Sequence, residues 1–234
     1  MKRIIFLFVP ILLTSISFSQ TKKPVLKDTV KGAIIKVHLT NRAQQPLKHE
    51  EVILAAKDAK KNYSLITNND GDASLKVEPG HNYIIKLKTI EDTTVYGNIE
   101  VPALEANESY PEPFSLNMTY EPAKHYVFHH LEFDINSAMI KRESYAELDQ
   151  LVEYMQHKPE IIVEINGHTD NVGKEEANKI LSQQRADAVR NFLARKGIDN
   201  SRMKSKGFGA SQPIADNATD EGKQKNRRTE LKIL

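Results

Sequence analysis

From Val30 to about Val101, apolar residues recur at every second position, the spacing that turns one face of a strand to a core and the other to water. The predicted strands are AIIKVHLT (Ala33 to Thr40), EEVILAA (Glu50 to Ala56), YSLIT (Tyr63 to Thr67), ASLKV (Ala73 to Val77) and YIIKLKT (Tyr83 to Thr89). Turn chemistry separates them, with Asn69-Asp70-Gly71 and Pro79-Gly80 as the strongest signals. Short strands at this spacing predict an antiparallel β-sandwich over 30–103. Residues 104–122 lose the alternation and carry Pro111, Pro113 and Pro122; they read as a linker with one edge strand at FSLNM (Phe114 to Met118).

Beyond the linker the period changes. KHYVFHHLEFD (Lys124 to Asp134) alternates as a strand, and Ser144-Tyr145-Ala146-Glu147 has the form of a capping box. Leu148, Leu151, Val152 and Met155 follow at helical spacing until Pro159. EIIVEI (Glu160 to Ile165) predicts a buried strand, Glu175 to Lys196 a long helix closed by Gly197, and RMKSKGFG (Arg202 to Gly209) and RTELKIL (Arg228 to Leu234) two more strands. The order β-α-β-α-β-β predicts a compact α/β domain over 123–234.

The long helix poses a problem. At about 100° per residue, Ala177, Leu181, Ala188 and Phe192 share a face that Val189 and Leu193 widen. Arg185 falls inside that stripe with Asn178 on the same side, whereas Arg190 points away from it. A desolvated guanidinium costs several kcal/mol unless paired, so Arg185 needs a partner.

Composition narrows the setting. MKRIIFLFVPILLTSISFSQ has a basic start, an apolar run from Ile4 to Leu13 too short to span a bilayer, and a small-x-small site at Ser17 to Ser19. Residues 1–19 therefore read as a signal peptide, and no later segment is apolar enough to cross a membrane. The chain has no cysteine, which excludes a lipid-bearing cysteine and a disulfide framework. Its 33 basic and 31 acidic residues are dispersed, leaving no electrostatic footprint for nucleic acid. A periplasmic or cell-envelope location is expected, with a free secreted protein as the second choice.

Two resemblances follow from ordered motifs. The segment from Lys31 to Val101, with TNNDGDASLKVEPGHNYIIKL at its centre, resembles the carboxypeptidase-regulatory-like, transthyretin-like sandwiches, which implies a spacer or partner-binding role. FDINSA, VEINGHTDNVG, the helix motif around Asn178 to Val189, GFGASQPIADN and NRRTEL resemble, in order, the OmpA C-terminal-like peptidoglycan-binding domain. That resemblance implies a mixed sheet and non-catalytic binding of the diaminopimelate side chain of a stem peptide, whose ammonium and carboxylate share one carbon. It assigns the ammonium to Asp170 and the carboxylate to Arg185. Asn178, Thr169, Phe133, Asp134 and Arg227 fall on further family ligand positions, and Asn226 and Arg228 read as fasteners for the last strand. The Thr169 to Gly173 backbone would favour the carboxylate at the helix start. The bland alternative is that Asp170 and Arg185 simply pair with each other, and that Arg227 and Arg228 form strand-end salt bridges.

Other chemistries fare worse. His168, Asp170 and Ser182 supply hydrolase residue types, but no G-x-S-x-G elbow is present and Ser182 lies within a helix, facing water or bonding back to the main chain. His129 and His130 are adjacent in a predicted strand and so cannot chelate together. His168 and Asp170 lack a third ligand by spacing, and His125 and His130 read as surface residues. No metal or cofactor is expected. The alternative role is an interaction subunit of an envelope secretion or motility machine, with the sandwich binding the partner. A stator is disfavoured by the missing transmembrane helix, and the sandwich segment is too short for an outer-membrane barrel.

Overall fold

A computed structural model describes residues 32–234 except 91, 92, 107 and 135. The expected signal peptide lies outside the described residues. Seven strands form the N-terminal part: β1 (Ala33–Thr40), β2 (Glu51–Ala56), β3 (Asn62–Ile66), β4 (Asp72–Val77), β5 (His81–Lys88), β6 (Thr93–Val101) and β7 (Phe114–Thr119). They make two sheets, β4-β1-β7 and β3-β2-β5-β6. Ile35, Val37 and Leu39 of β1 meet Val52, Leu54, Ile85 and Leu87 of the other sheet in one buried cluster. At the turn into β4, Asn68 Oδ1 accepts from the backbone N–H groups of Asp70 and Asp72, each at 2.9 Å. Gly71 completes this turn at φ +74°, where a side chain would also strike the Leu39 carbonyl.

The structure corrects three expectations here. The sandwich is not wholly antiparallel, because β7 pairs parallel with β1, from Ile35 opposite Phe114 to Thr40 opposite Thr119. The edge strand expected at Phe114 to Met118 does form, and through it the segment read as a linker contributes core: Phe114, Leu116 and Met118 are all buried. Pro111 and Pro113 lie just before this strand and Pro122 just after it, so they bound it rather than break it. Strand β6 is not among the predicted strands, since TTVYGNIEV is an edge that buries only Ile99 and Val101 fully and has a register shift opposite Ile85 and Lys86.

The C-terminal part comprises β8 (His125–Val127), α1 (Tyr145–His157), β9 (Val163–His168), α2 (Glu175–Arg195), β10 (Met203–Gly209), α3 (Asp220–Asn226) and β11 (Thr229–Ile233). Its sheet has the order β10-β9-β11-β8, parallel between β10 and β9 and antiparallel elsewhere. Helix α3 was not expected, because DEGKQKN has no apolar stripe; it starts where the Thr219 side chain accepts from the Gly222 N–H at 3.0 Å. The first strand is far shorter than Lys124 to Asp134. After Phe128 the His129 and His130 N–H groups turn to the Glu147 carboxylate, at 2.8 and 3.0 Å. The capping box is not formed either. A 3-10 turn over Arg142–Ser144 keeps Ser144 in helical geometry, so its hydroxyl accepts instead from the Glu132 N–H at 2.8 Å. Strand β9 is shifted C-terminally from the predicted Glu160 to Ile165, because pairing on both sides carries its polar end, Asn166-Gly167-His168, into the sheet.

The buried face of α2 is rotated from the expected stripe. Asn178, Ser182, Ala186, Val189, Phe192 and Leu193 face the sheet, whereas Ala177 is exposed and Leu181 half-buried. Small and polar residues line the N-terminal half of this face because the sheet approaches the helix backbone there. A Cβ at Gly167 would collide with the Ser182 carbonyl oxygen, and one at Gly207 with the Gln183 nitrogen. Ser182 joins the two elements, donating to the Lys179 carbonyl at 2.9 Å and accepting from the Gly209 N–H at 2.8 Å. Arg190 is half-buried rather than free in solvent, and its Nε is enclosed.

The two cores meet along a seam. Lys158 Nζ and Glu50 Oε1 lie 2.5 Å apart, their side chains 6% and 5% exposed. His49 bonds Glu160 at 3.0 Å, Lys88 bonds Glu153 at 2.6 Å, and Ile90 packs into the C-terminal core. Among the described residues, no helix is long and apolar enough to cross a membrane.

Candidate functional site

The C-terminal end of β9, the start of the antiparallel β11 and the first turns of α2 bring the candidate residues together. His168 ends β9 with its N–H on the Arg228 carbonyl at 2.9 Å, and the Thr169 N–H reaches the Gly209 carbonyl at 3.0 Å. These bonds fix the origin of the loop that carries Asp170. Asn178, one turn into α2, braces the loop from below, donating to the Asp170 carbonyl at 3.3 Å and the Val172 carbonyl at 3.0 Å. Its amide donors are thus spent on the loop, which makes it a support for the site in this state.

Asp170 is 8% exposed, and both its oxygens are engaged. Oδ1 accepts from the Val172 N–H at 3.0 Å and Oδ2 from Arg227 Nη1 at 2.5 Å. The direct Asp170–Arg185 bridge of the bland reading is not among these bonds. Arg185 instead donates through Nε to the Ser137 carbonyl at 3.0 Å and lays its guanidinium over Phe133, 5.0 Å from the ring centroid. Burial lowers the Arg185 pKa, the Arg227 charge lowers it further, and Asp170 opposes both. Among the described residues, no hydrogen bond occupies its two terminal NH2 groups.

Phe133 is half-buried and bridges to Ile140. Asp134 is exposed and shapes the neighbouring turn through its backbone, with its N–H on the Met139 carbonyl and its carbonyl accepting from Ser137, both at 3.1 Å. Thr169 is buried, and among the described residues its hydroxyl has no hydrogen-bond partner. Asn226 holds the 214–217 loop, accepting from the Ile214 and Ala215 N–H groups at 2.8 and 3.0 Å. Arg228 pairs with Glu230 at 2.5 Å. Sequence reasoning missed Ser137 as the partner of Arg185, since a carbonyl acceptor has no signature in residue type.

The histidines do not form a reaction centre. His168 is 2% exposed and stacks on Phe208 with centroids 5.1 Å apart. Burial first, then the Arg228 charge, pushes its pKa down to about 4 against the weaker pull of Glu230. It is therefore a neutral ring inside the sheet. Ser182 Oγ is committed to its two backbone bonds and is not a nucleophile with a base beside it. His125, His129 and His130 are exposed. Glu51, Glu153 and His157 could offer three metal ligands at the seam, with ligand atoms within 4.8 Å of one another. The Lys88 ammonium already sits among them, 2.6 Å from Glu153 and 3.5 Å from Glu51.

A mixed sheet backed by helices thus sets the Asp170–Arg227 pair at the end of β9, with the Arg185 guanidinium of α2 beside it. Residues 132–227 match the OmpA family, and this part of the chain belongs to it. It is similar to Outer membrane porin F of Pseudomonas fluorescens, 40% identical over 103 residues, covering 44% of this chain and 32% of that protein. The Peptidoglycan-binding protein ArfA of Mycobacterium tuberculosis is 37% identical over 103 residues, again 44% of this chain and 32% of the relative. The crystal structure of the peptidoglycan-associated lipoprotein from Burkholderia pseudomallei aligns with 31% identity and a TM-score of 0.42, covering 44% of this chain and 88% of that one. The chain spans about a third of the length of the first curated relatives it matches.

Proposed function

We propose that the C-terminal domain binds cell-wall peptidoglycan without cutting it, by clasping the zwitterionic end of diaminopimelate in the stem peptide. Asp170 receives the ammonium, and the free NH2 groups of Arg185 receive the carboxylate as a planar pair of donors. The observation that carries this reading is Arg185 itself. Its half-buried charge is partly desolvated, Ser137 and Phe133 orient its plane, and among the described residues no hydrogen bond takes its paired donors, near the Asp170 charge. The names of two relatives, a peptidoglycan-binding protein and a peptidoglycan-associated lipoprotein, support the choice of ligand. Phe133 and the Asp134 turn form the wall of the site, while Asn178 and the buried Thr169 hold its loop.

In this reading the protein belongs to the cell envelope, and the N-terminal sandwich is a two-sheet partner-binding module of the carboxypeptidase-regulatory-like kind. The seam gives the sandwich a set orientation on the wall-binding domain, so whatever it carries is presented at a defined angle to the wall. One stem peptide is a small ligand held at one end, so single-site affinity is modest and retention comes from many sites on one polymer. The test is co-sedimentation of the purified chain with insoluble peptidoglycan, diaminopimelate-type beside lysine-type, for the wild type and Arg185→Ala. Retention only of wild type, and on the diaminopimelate wall, supports the reading. A folded protein retained on neither wall overturns it.

A further inference from the structure

We infer that Arg227 sets the specificity of this site by occupying Asp170 until a zwitterion displaces it. The inference rests on the wall-binding reading above and adds to it a mechanism for rejecting ligands that carry an ammonium alone.

The two partners of the Asp170–Arg227 pair differ in freedom. Asp170 is tied to the Val172 N–H, and its loop is strapped by Asn178, so its carboxylate has nowhere to go. Arg227 follows the last residue of α3, its side chain is 46% exposed, and among the described residues its one side-chain hydrogen bond is to Asp170. It can swing into water at little desolvation cost, whereas Asp170 cannot leave. Any ammonium that seeks Asp170 must therefore compete with a guanidinium already in place.

Charge counting shows which ligands win. Asp170 with Arg185 and Arg227 carries a net single positive charge, and Arg185 feels the Arg227 charge. A lone ammonium that expels Arg227 from Asp170 raises the total to two positive charges while Arg185 stays unpaired. A zwitterion adds no net charge. Its ammonium takes over Asp170, its carboxylate neutralises Arg185, and Arg227 goes to solvent or to a second carboxylate of the stem. Displacement is thus compensated only when both charges arrive on one carbon, as in diaminopimelate, and is uncompensated for the lysine side chain. The attraction of Asp170 for cations, by itself indifferent between the two, becomes selective because Arg227 must be removed first.

The experiment is calorimetric titration of the full chain with two soluble muropeptides, diaminopimelate-type and lysine-type, differing at the carboxylate. Wild type, Arg227→Met and Arg227→Lys are compared, with a thermal melt as the folding control. Wild type is expected to prefer the diaminopimelate form. Arg227→Met is expected to bind the lysine form about tenfold more tightly than wild type does, the scale of one charge-assisted hydrogen bond, so that the preference shrinks. Arg227→Lys keeps a cation on Asp170 and retains the preference. If Arg227→Met weakens both ligands by the same factor, Arg227 is an ordinary ligand-binding cation and the inference fails. If neither affinity moves, it is a surface bridge and the inference fails equally. A folded wild type that binds neither muropeptide, nor the insoluble wall, removes the wall-binding reading itself, a result distinguishable from the other two.

Discussion

Replacing Lys158 with methionine probes the seam between the two cores at its driest point. Lys158 and Glu50 are 2.5 Å apart and almost fully enclosed. Burial is the first cause of both of their shifts, pushing the Glu50 pKa up and that of Lys158 down, so desolvation outweighs their attraction. Methionine keeps the aliphatic stem that runs beside Tyr154, whose ring centroid is 4.4 Å from Lys158 Nζ, and removes the charge together with the 3.2 Å hydrogen bond that Nζ donates to the Tyr154 hydroxyl. Glu50 then stays ionised without a partner or takes up a proton. Protonation costs about 1.4 kcal/mol for each pH unit above the ordinary carboxyl value of 4.5, which sets a ceiling of about 3 kcal/mol at neutral pH. The sign of the pH dependence follows. The folded state holds a proton that the unfolded state lacks, so the variant gains stability as pH falls from 7 towards 4.5 and levels off below it. Glu50→Leu combined with Lys158→Met removes both charges and should match or exceed wild type, by up to about 4 kcal/mol. Urea denaturation across that pH range measures all three proteins. A Lys158→Met variant within about 0.5 kcal/mol of wild type, with a flat pH profile, would mean that water reaches Glu50 and that the seam is not closed in solution.

Arg185→Lys is expected to fold normally and lose wall retention, because an ammonium cannot present two parallel donors to a carboxylate; near-native co-sedimentation of this variant would refute the clamp. His168 contributes stability that is present above about pH 6.5 and is lost as pH falls towards its folded value of about 4, amounting to about 3 kcal/mol. Thermal melts from pH 7 to 4 read this loss, and His168→Phe, which keeps the stack on Phe208, should flatten the profile. Gly207→Ala places a methyl against the backbone of α2 and should cost at least about 1–3 kcal/mol by chemical denaturation; a neutral result would show that the helix is free to move off the sheet.

How much of this was legible in the sequence depends on what each residue faces. Strand β1 is predicted to the residue because Ile35, Val37 and Leu39 alternate against a dry core with polar neighbours between them. Strand β6 and helix α3 escape because an edge strand and a short polar helix bury too little to leave a period. The face of α2 is misjudged for a related reason. Where Gly167 and Gly207 bring backbone against backbone, the buried helix positions include Ser182, which the periodicity leaves facing water, and Asn178, which lies on the side of the stripe but whose polarity does not mark it as buried. Asp170 and Arg185 are legible as a charged pair near one junction. Their actual partners, Arg227 and the Ser137 carbonyl, depend on how loops distant in sequence fold back on the site.

Each core is also completed by its last strand. Strand β1, the first among the described residues, lies at the centre of its sheet and has no neighbour on one side until Phe114–Thr119 arrives. Strand β11 is inserted between β9 and β8 and, among the described residues, is the only strand that pairs with β8. During synthesis from the N terminus, both sheets therefore wait with open backbone edges and uncovered apolar faces, and neither can close on local contacts alone. A chain stopped just before Thr229 would lose more than a terminal strand. It would release β8, expose Leu231's neighbours Tyr126 and Ile165, and detach the element that follows Arg227, leaving a sticky intermediate with no assembled binding site.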